Sequence, residues 1–246
     1  MITDVRTIET TLPPPVASMP ADALERVEHR LRTAHANHLG YPYNLAGAAD
    51  VPPRFGNYLI NNLGDPYAGS HYASEVCDLE REAVDWLMEL WGCEDREAYW
   101  GSVGASGTEG NLWALYLARE AFPDAIVVYP REAHYSIPKA ARILRIGTQV
   151  VDCLPNGEIS LIDLRRVLLR LRSAFAIVAL TCGTTVKGAH DDIAGVLDVL
   201  DDAGFPPHRR YVHVDGALNG MVLPFLEGVP DGLQPSFRHG VSSIST

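Results

Sequence analysis

The 246-residue sequence predicts an α/β fold, in which a mostly parallel sheet is covered by helices on both faces. From Tyr99 onward, short β-branched runs alternate with segments of helical periodicity, as in consecutive strand–helix–strand units. The hydrophobic content of 47% is enough for a sizeable core, and disorder is not expected. Since ligands bind outside the carboxyl ends of parallel strands, we expect the functional residues at that edge of the sheet.

Composition excludes several classes of partner. The net charge of −11 argues against binding to nucleic acid or to an anionic membrane surface. The sequence contains neither an apolar run of signal-peptide type near its start nor a segment of transmembrane length. Its four cysteines are widely separated and lack metal-ligand spacing, so they are interpreted as reduced residues of a cytoplasmic protein without a metal site.

Residues 1–39 are predicted to form an N-terminal arm and helix that precede the ligand-binding domain at 40–246. The Thr- and Pro-rich arm is expected to be extended, or to become ordered only against a partner subunit. Apolar residues at helical spacing predict a helix from Ala21 to about His38. The following segment, 41–69, is rich in Pro, Gly and Asn, and long loops of this kind are often functional.

The first part of the domain contains a possible anion site. A helix is predicted from about Ser74 to Trp91, and a short strand that begins near Tyr99 then leads into a turn of small residues. The turn opens a helix at Gly107 and Thr108, where free N–H groups and the helix dipole favour an anion. Ordinary N-capping by a hydroxyl of this turn is an equally good reading of the same residues.

Further strands are predicted at 125–129, 149–154, 175–181, 210–215 and 241–245, with helices from about residues 137, 161 and 193. Ser160 and Asp163 resemble a capping box for the second of these helices. Helix and strand thus alternate to the last strand, as the parallel topology requires.

Polar residues follow several of these strands. Asp215 ends a buried strand, and Gly216 and Ala217 leave room for a flat group, so the acid could face a planar cation. An Asp that caps the next turn is the alternative. His134 lies in a strand-to-helix loop and Thr185 follows another strand; either could serve a ligand or simply belong to a loop.

Taken together, six motifs resemble those of pyridoxal-phosphate-dependent group II amino-acid decarboxylases, closest to the histidine and serine decarboxylase branch. They cover residues 40–246 in the family's order and are Gly40–Leu45, Ile60–Pro66, Gly107–Asn111, His134–Ser136, Gly183–Ala189 and Asp215–Ala217. The resemblance implies an aspartate-aminotransferase-type large domain, incomplete at its C-terminus. It also implies a homodimer with active sites near the subunit boundary.

The resemblance implies a role for each matching residue. Asp215 would pair with the protonated ring nitrogen of pyridoxal phosphate, and His134 would stack on the ring and contact the substrate. Ala217 would pack under the ring. The remaining implied cofactor contacts are Gly107 and Thr108 at the phosphate, Thr185 at the polar edge of the ring, and Ser245.

The activity implied is decarboxylation of histidine or another small polar amino acid to its amine and CO2. The family's cofactor-binding lysine is the last residue of a Ser-x-His-Lys motif, whereas this sequence reaches only Ser245 and Thr246 of that motif. We therefore expect the 246 residues alone to be inactive, either as part of a longer enzyme or as a naturally short chain. A non-catalytic partner protein and another pyridoxal-phosphate-dependent lyase or transferase are the alternatives.

Overall fold

A computed structural model describes residues 21–37, 58, 60–62, 64–68, 75–171 and 175–246. The chain divides into two units, 1–53 and 54–246. The predicted N-terminal arm at 1–19 and most of the predicted loop at 41–69 lie outside the described residues.

The first unit contributes one described helix, α1, at Ala21–Ala36. It confirms the predicted helix to within two residues of its end. Its apolar side chains Leu24 and Leu31 are 66% and 60% exposed, so they remain available for a further contact.

The second unit alternates helices and strands, as predicted. Its helices are α2 (Cys77–Leu90), α3 (Gly107–Ala121), α4 (Ser136–Leu144), α5 (Leu161–Leu168) and α6 (Ile193–Asp202). Its strands are β1 (Ile126–Pro130), β2 (Thr148–Val151), β3 (Ala176–Thr181), β4 (Arg210–Asp215) and β5 (Ser243–Ser245). Short 3₁₀ turns occur at Arg96–Ala98, Pro207–Arg209, Leu223–Phe225, Asp231–Leu233 and Phe237–His239. None of the described helices has the length and apolarity needed to cross a membrane.

The strands form one parallel sheet in the order β2-β1-β3-β4-β5. Strand residues alternate between two cores because successive side chains point to opposite faces. Val127 and Ile177 pack with α3 and α4 on one face, whereas Val128 and Val178 pack with α5 and α6 on the other. Helices therefore cover both faces, as the sequence predicted.

One local prediction is wrong, and another is confirmed only in part. Residues Tyr99–Gly101 do not form a strand; Tyr99 is extended but has no partner strand in the described sheet. The capping box is only half formed: Ser160 Oγ accepts the Asp163 N–H, but the Asp163 carboxylate accepts the N–H of Asp152 at 2.8 Å. Instead of reaching back to Ser160, the short Asp163 side chain accepts a hydrogen bond from a residue outside its own helix.

Asp191 fixes the start of the segment that leads into α6. Its carboxylate is 2% exposed and accepts the backbone N–H groups of Thr181 at 2.8 Å and Ile159 at 2.7 Å. Burial raises the pKa of Asp191 to about 6, although both hydrogen bonds oppose this shift. The carboxylate thus ties the end of β3 to the residues that precede α5.

Candidate functional site

Asp215 is a buried acid at the carboxyl end of β4, with 5% of its surface exposed. Its Oδ2 accepts a hydrogen bond from Asn111 Nδ2 at 2.7 Å, and its Oδ1 accepts one from the Ala217 N–H at 3.2 Å. Asp215 forms no ion pair with any described residue. A carboxylate in such surroundings is a suitable partner for a cationic ligand group, because burial strengthens the attraction between opposite charges.

Asn111 on α3 connects several polar residues beneath this edge. It is 1% exposed, and its Nδ2 donates to Ser136 Oγ at 2.8 Å as well as to Asp215. Its Oδ1 accepts from Ser245 Oγ at 2.6 Å and contacts His213 Nε2 at 2.8 Å. The two donors and two acceptor positions of the amide are therefore all used.

His213 on β4 is fully buried between this amide and β5, with its Nδ1 2.8 Å from Ser243 Oγ. Burial lowers the pKa of His213 to about 4, although the nearby Asp215 charge acts in the opposite direction. The imidazole is therefore neutral at neutral pH. Its Nε2–H donates to Asn111, while Nδ1 accepts from the Ser243 hydroxyl.

His134 lies in the loop between β1 and α4 and is half-buried. Its Nδ1 lies 2.8 Å from Ser136 Oγ and accepts the Ser136 backbone N–H at 3.3 Å. Because Nδ1 is an acceptor here, the neutral ring carries its proton on Nε2. The rings of His134 and the exposed Tyr135 are tilted, with centroids 4.2 Å apart.

The first turn of α3 lies against the loop that follows Asp215. A Cβ added to Gly107 would lie 2.6 Å from the Ala217 Cβ, so only glycine permits this approach without a shift of the backbone. Ser106 is the N-cap residue, but its side chain makes no capping hydrogen bond. The first N–H groups of α3 have no carbonyl partner within the helix, which suits them to an anion.

Thr181 supplies a further polar atom at this edge. It ends β3 and pairs in register with Asp215, and strand alternation places it on the face that packs against α3 and α4. The side chain is buried, and its hydroxyl has no hydrogen-bond partner among the described residues. Because buried polar groups normally have a partner, this hydroxyl is suited to a ligand contact.

The structure brings together most of the residues singled out in the sequence. Contacts join Gly107, Ala217 and Asp215 directly, and link His134 and Ser245 to Asp215 through Asn111 and Ser136. The described contacts do not join Thr108, which lies half-buried in the first turn of α3, or Thr185, which is exposed on the turn after β3.

Sequence reasoning assigned no role to three members of the network: Asn111, Ser136 and His213. A signal existed for two of them. Asn111 is one helical turn after Gly107, and so shares its face. His213 is a polar residue in the middle of an apolar strand, where a hydrogen-bond partner is required. Ser136 gave no comparable signal.

A cavity of about 840 Å³ lies elsewhere, beside the α3 residues Trp113 and Leu117. Glu80 and Trp100 also line it, but no member of the Asn111 network does. Volume alone therefore does not identify the site. Convergent, buried polar groups are better evidence, and they lie at the strand ends.

The chain is similar to known proteins over most of its length. The family model of the pyridoxal-dependent decarboxylase conserved domain matches residues 15–236. Serine decarboxylase 1 of Oryza sativa subsp. japonica is 43% identical over 214 residues, or 87% of this chain and 43% of the relative. Histidine decarboxylase of Pseudomonas entomophila (strain L48) is 38% identical over 218 residues, or 88% of this chain and 53% of the relative.

Among solved structures, L-methionine decarboxylase from Streptomyces sp.590 is similar, with a TM-score of 0.71 at 25% identity. The match covers 87% of this chain and 58% of that chain. The chain thus spans about half the length of the curated relatives it matches. These comparisons confirm the predicted fold class and the family resemblance drawn from the motifs.

The neutral state of His213 leads to a pH prediction. Unfolding exposes the imidazole and returns its pKa to about 6.5, so between pH 6.5 and 4 the unfolded chain binds a proton that the folded chain does not. We expect this residue to make the free energy of unfolding fall by about 3 kcal/mol as pH decreases across that window. In His213→Gln, which retains an N–H donor, the fall should be smaller.

Urea unfolding of the two proteins at several pH values between 7 and 4.5 measures this difference. The acid Asp191 titrates in both, so its contribution cancels when they are compared. His208→Gln, at an exposed histidine, is the control and should retain the parent's pH dependence. Equal pH dependence of the parent and His213→Gln would show that His213 is not held neutral by burial.

Proposed function

Since this chain belongs to the pyridoxal-dependent decarboxylase family, we propose that it forms the cofactor-binding part of an amino-acid decarboxylase. The observation that carries the proposal is the buried Asp215 carboxylate, which has no cationic partner among the described residues. When bound, pyridoxal phosphate supplies a ring that accepts the electron pair released by loss of the substrate carboxylate as CO2. Asp215 would hold a proton on the ring nitrogen and so keep the ring electron-accepting.

The other groups at the strand ends suit the same cofactor. Ala217 would pack under the ring, and Gly107 and Thr108 would bind the phosphate through the first N–H groups of α3 and the Thr108 hydroxyl. His134 would stack on the ring, with its Nε2–H directed to an acceptor oxygen of the substrate or cofactor. Thr185 and Ser245 are proposed as further cofactor contacts.

The substrate is proposed to be histidine or another small polar amino acid, because the serine and histidine decarboxylases are 43% and 38% identical to this chain. The solved methionine decarboxylase is only 25% identical. These relatives differ in the side chain of the amino acid in their names, so the activity of this protein on each candidate amino acid must be compared directly.

The role of Asp215 predicts selectivity for the ring nitrogen. We expect the chain to bind pyridoxamine 5′-phosphate, which needs no lysine, at least tenfold more tightly than its 1-deaza analogue, a difference of about 1.4 kcal/mol. In Asp215→Asn the preference should shrink to about threefold or less, because the neutral amide no longer pairs with a protonated nitrogen. Isothermal titration calorimetry of both ligands measures the two ratios.

The matched control is Asp198→Asn, which alters an exposed acid on α6 and should leave the ratio unchanged. The Asp215 role is wrong if the parent and Asp215→Asn show the same ratio. Failure of the parent to bind pyridoxamine 5′-phosphate at all would contradict the proposed cofactor site.

Activity is best tested on the product of the complete reading frame, including any residues after Thr246. We expect release of CO2 from carboxyl-labelled histidine or serine with kcat/KM at least tenfold above that for methionine. A preference for methionine would contradict the proposed substrate class. Cofactor binding without CO2 release from any amino acid would instead support the non-catalytic alternative.

We further propose a cytoplasmic homodimer whose interface includes residues before about Gly69. The exposed apolar side chains of α1, Leu24 and Leu31, support an intermolecular contact. The four cysteines form no disulfide in the structure, which suits a reducing compartment. Cell fractionation checks the location.

The dimer is tested by light scattering over a dilution series, with the complete protein compared with a variant lacking residues 1–39. We expect the truncated protein to dissociate at concentrations at least tenfold higher, because apolar interface area would be lost. Equal dissociation constants would exclude this segment from the interface.

A further inference from the structure

We propose that Asn111 is the positioning residue of this site: its side-chain amide orients the Asp215 carboxylate and, through Ser136, sets the tautomer of His134. The inference deepens the proposed function, on which its consequence for the cofactor rests. The hydrogen-bond chain itself is a property of the cofactor-free protein and can be measured without any ligand.

The orientation of the Asn111 amide follows from its partners. An ionised Asp215 can only accept hydrogen bonds, so the amide nitrogen, rather than the oxygen, must face Oδ2 at 2.7 Å. The oxygen then faces the Ser245 hydroxyl at 2.6 Å and His213 Nε2 at 2.8 Å. Because the opposite orientation would place two acceptors together, one amide rotamer is strongly preferred.

This orientation fixes Asp215. Its Oδ2 is held by the amide of Asn111, while Oδ1 has only a longer bond, 3.2 Å, from the Ala217 N–H. A carboxylate oxygen accepts more than one hydrogen bond. Oδ1 therefore keeps acceptor capacity for an incoming N–H donor, and the carboxylate cannot rotate without breaking the bond to Asn111.

The same amide acts on His134 through Ser136, which is 1% exposed. The second amide hydrogen of Asn111 is donated to Ser136 Oγ at 2.8 Å. An acceptor position of the hydroxyl is thus filled, and the Ser136 backbone N–H, 3.3 Å from His134 Nδ1, also requires Nδ1 to accept, so the one hydroxyl hydrogen is directed to Nδ1 at 2.8 Å. Nδ1 is thereby held unprotonated, and Nε2–H becomes the only N–H that the neutral ring offers to a ligand.

Asn111 thus couples the two groups expected to contact the cofactor. It is hydrogen-bonded directly to Asp215, and it acts on His134 only through Ser136. A residue that merely filled space would support both groups, but it would not determine which His134 nitrogen carries the proton. The tautomer of His134 is therefore the property that separates positioning from packing.

Changing Asn111 to Asp provides the test. Whether it is ionised or shares a proton with Asp215, the new side chain has no hydrogen left for Ser136, so the Ser136 hydroxyl should turn to donate to it, and Ser136 Oγ becomes an acceptor for His134 Nδ1–H. Long-range ¹H–¹⁵N NMR of the protein labelled with ¹⁵N in its histidine rings measures which nitrogen of His134 carries the proton. We expect the parent His134 to be almost wholly Nε2–H, and the Nδ1–H form to reach at least half in Asn111→Asp.

Asn156→Asp is the matched control, since it makes the same change at an exposed turn where only the side-chain oxygen accepts a bond. It should leave the His134 tautomer unaltered. Ser136→Ala tests the middle link: it removes the hydroxyl but keeps the backbone N–H that donates to Nδ1, so the Nδ1–H form should rise above its parent level. An unchanged His134 tautomer in folded Asn111→Asp, or in Ser136→Ala, would overturn the inference.

The parent protein supplies a second measurement that does not depend on whether Asn111→Asp folds. Both side-chain amide hydrogens of Asn111 should exchange with solvent at least a hundredfold more slowly than those of Asn156. Rapid exchange would overturn the inference by showing that the amide is not held. Because no cofactor is present in either experiment, their failure is distinct from failure of pyridoxamine 5′-phosphate binding.

Discussion

The buried carboxylate of Asp215 determines what must surround it at the end of β4. Removing an ionised group from water is costly unless hydrogen bonds or an opposite charge replace its hydration. Here the replacement is assembled from an amide N–H of Asn111 and the backbone N–H of Ala217. His213, two residues earlier in the same strand, stays neutral and contributes no compensating charge.

The parallel sheet makes this arrangement possible. Thr181, Asp215 and Ser245 end three neighbouring strands in register, so all three reach the same edge. Helix α3 crosses beneath them on one face, and its glycines allow close approach: a Cβ on Gly110 would lie 2.8 Å from the Ser245 Cβ. The helix backbone can therefore approach closely enough for Asn111 to contact β4 and β5 together.

The sequence predicted the sheet and the helix order from periodicity, and it predicted Asp215 and His134 from their placement at strand ends, whereas Ser245 was implied only by the family resemblance. It could not predict the hydrogen-bond connections, since an amide such as Asn111 shows its partners only when α3 and β4 are packed. The strand predicted at Tyr99 is an error of the other kind, because it was predicted and is not formed. The β-forming neighbourhood of Tyr99 suggested a strand, but the extended backbone there pairs with no strand of the described sheet.

Thr185 and Thr184 illustrate why adjacent hydroxyls are hard to separate by pattern. Thr184 is buried and its Oγ1 accepts the N–H of Ala189 at 3.0 Å, which closes the turn, while Thr185 is exposed. Either hydroxyl could have closed that turn, and the choice depends on backbone geometry that residue type does not encode.

The contacts of Asn111 also span long stretches of chain: its partners Asp215 and Ser245 are 104 and 134 residues away. Such pairings are entropically expensive to form early and tend to slow folding. During synthesis, α3 leaves the ribosome long before β5 exists, so its buried amide must wait with unsatisfied hydrogen bonds or bind water. The Asn111 network can therefore be completed only after translation has passed Ser245.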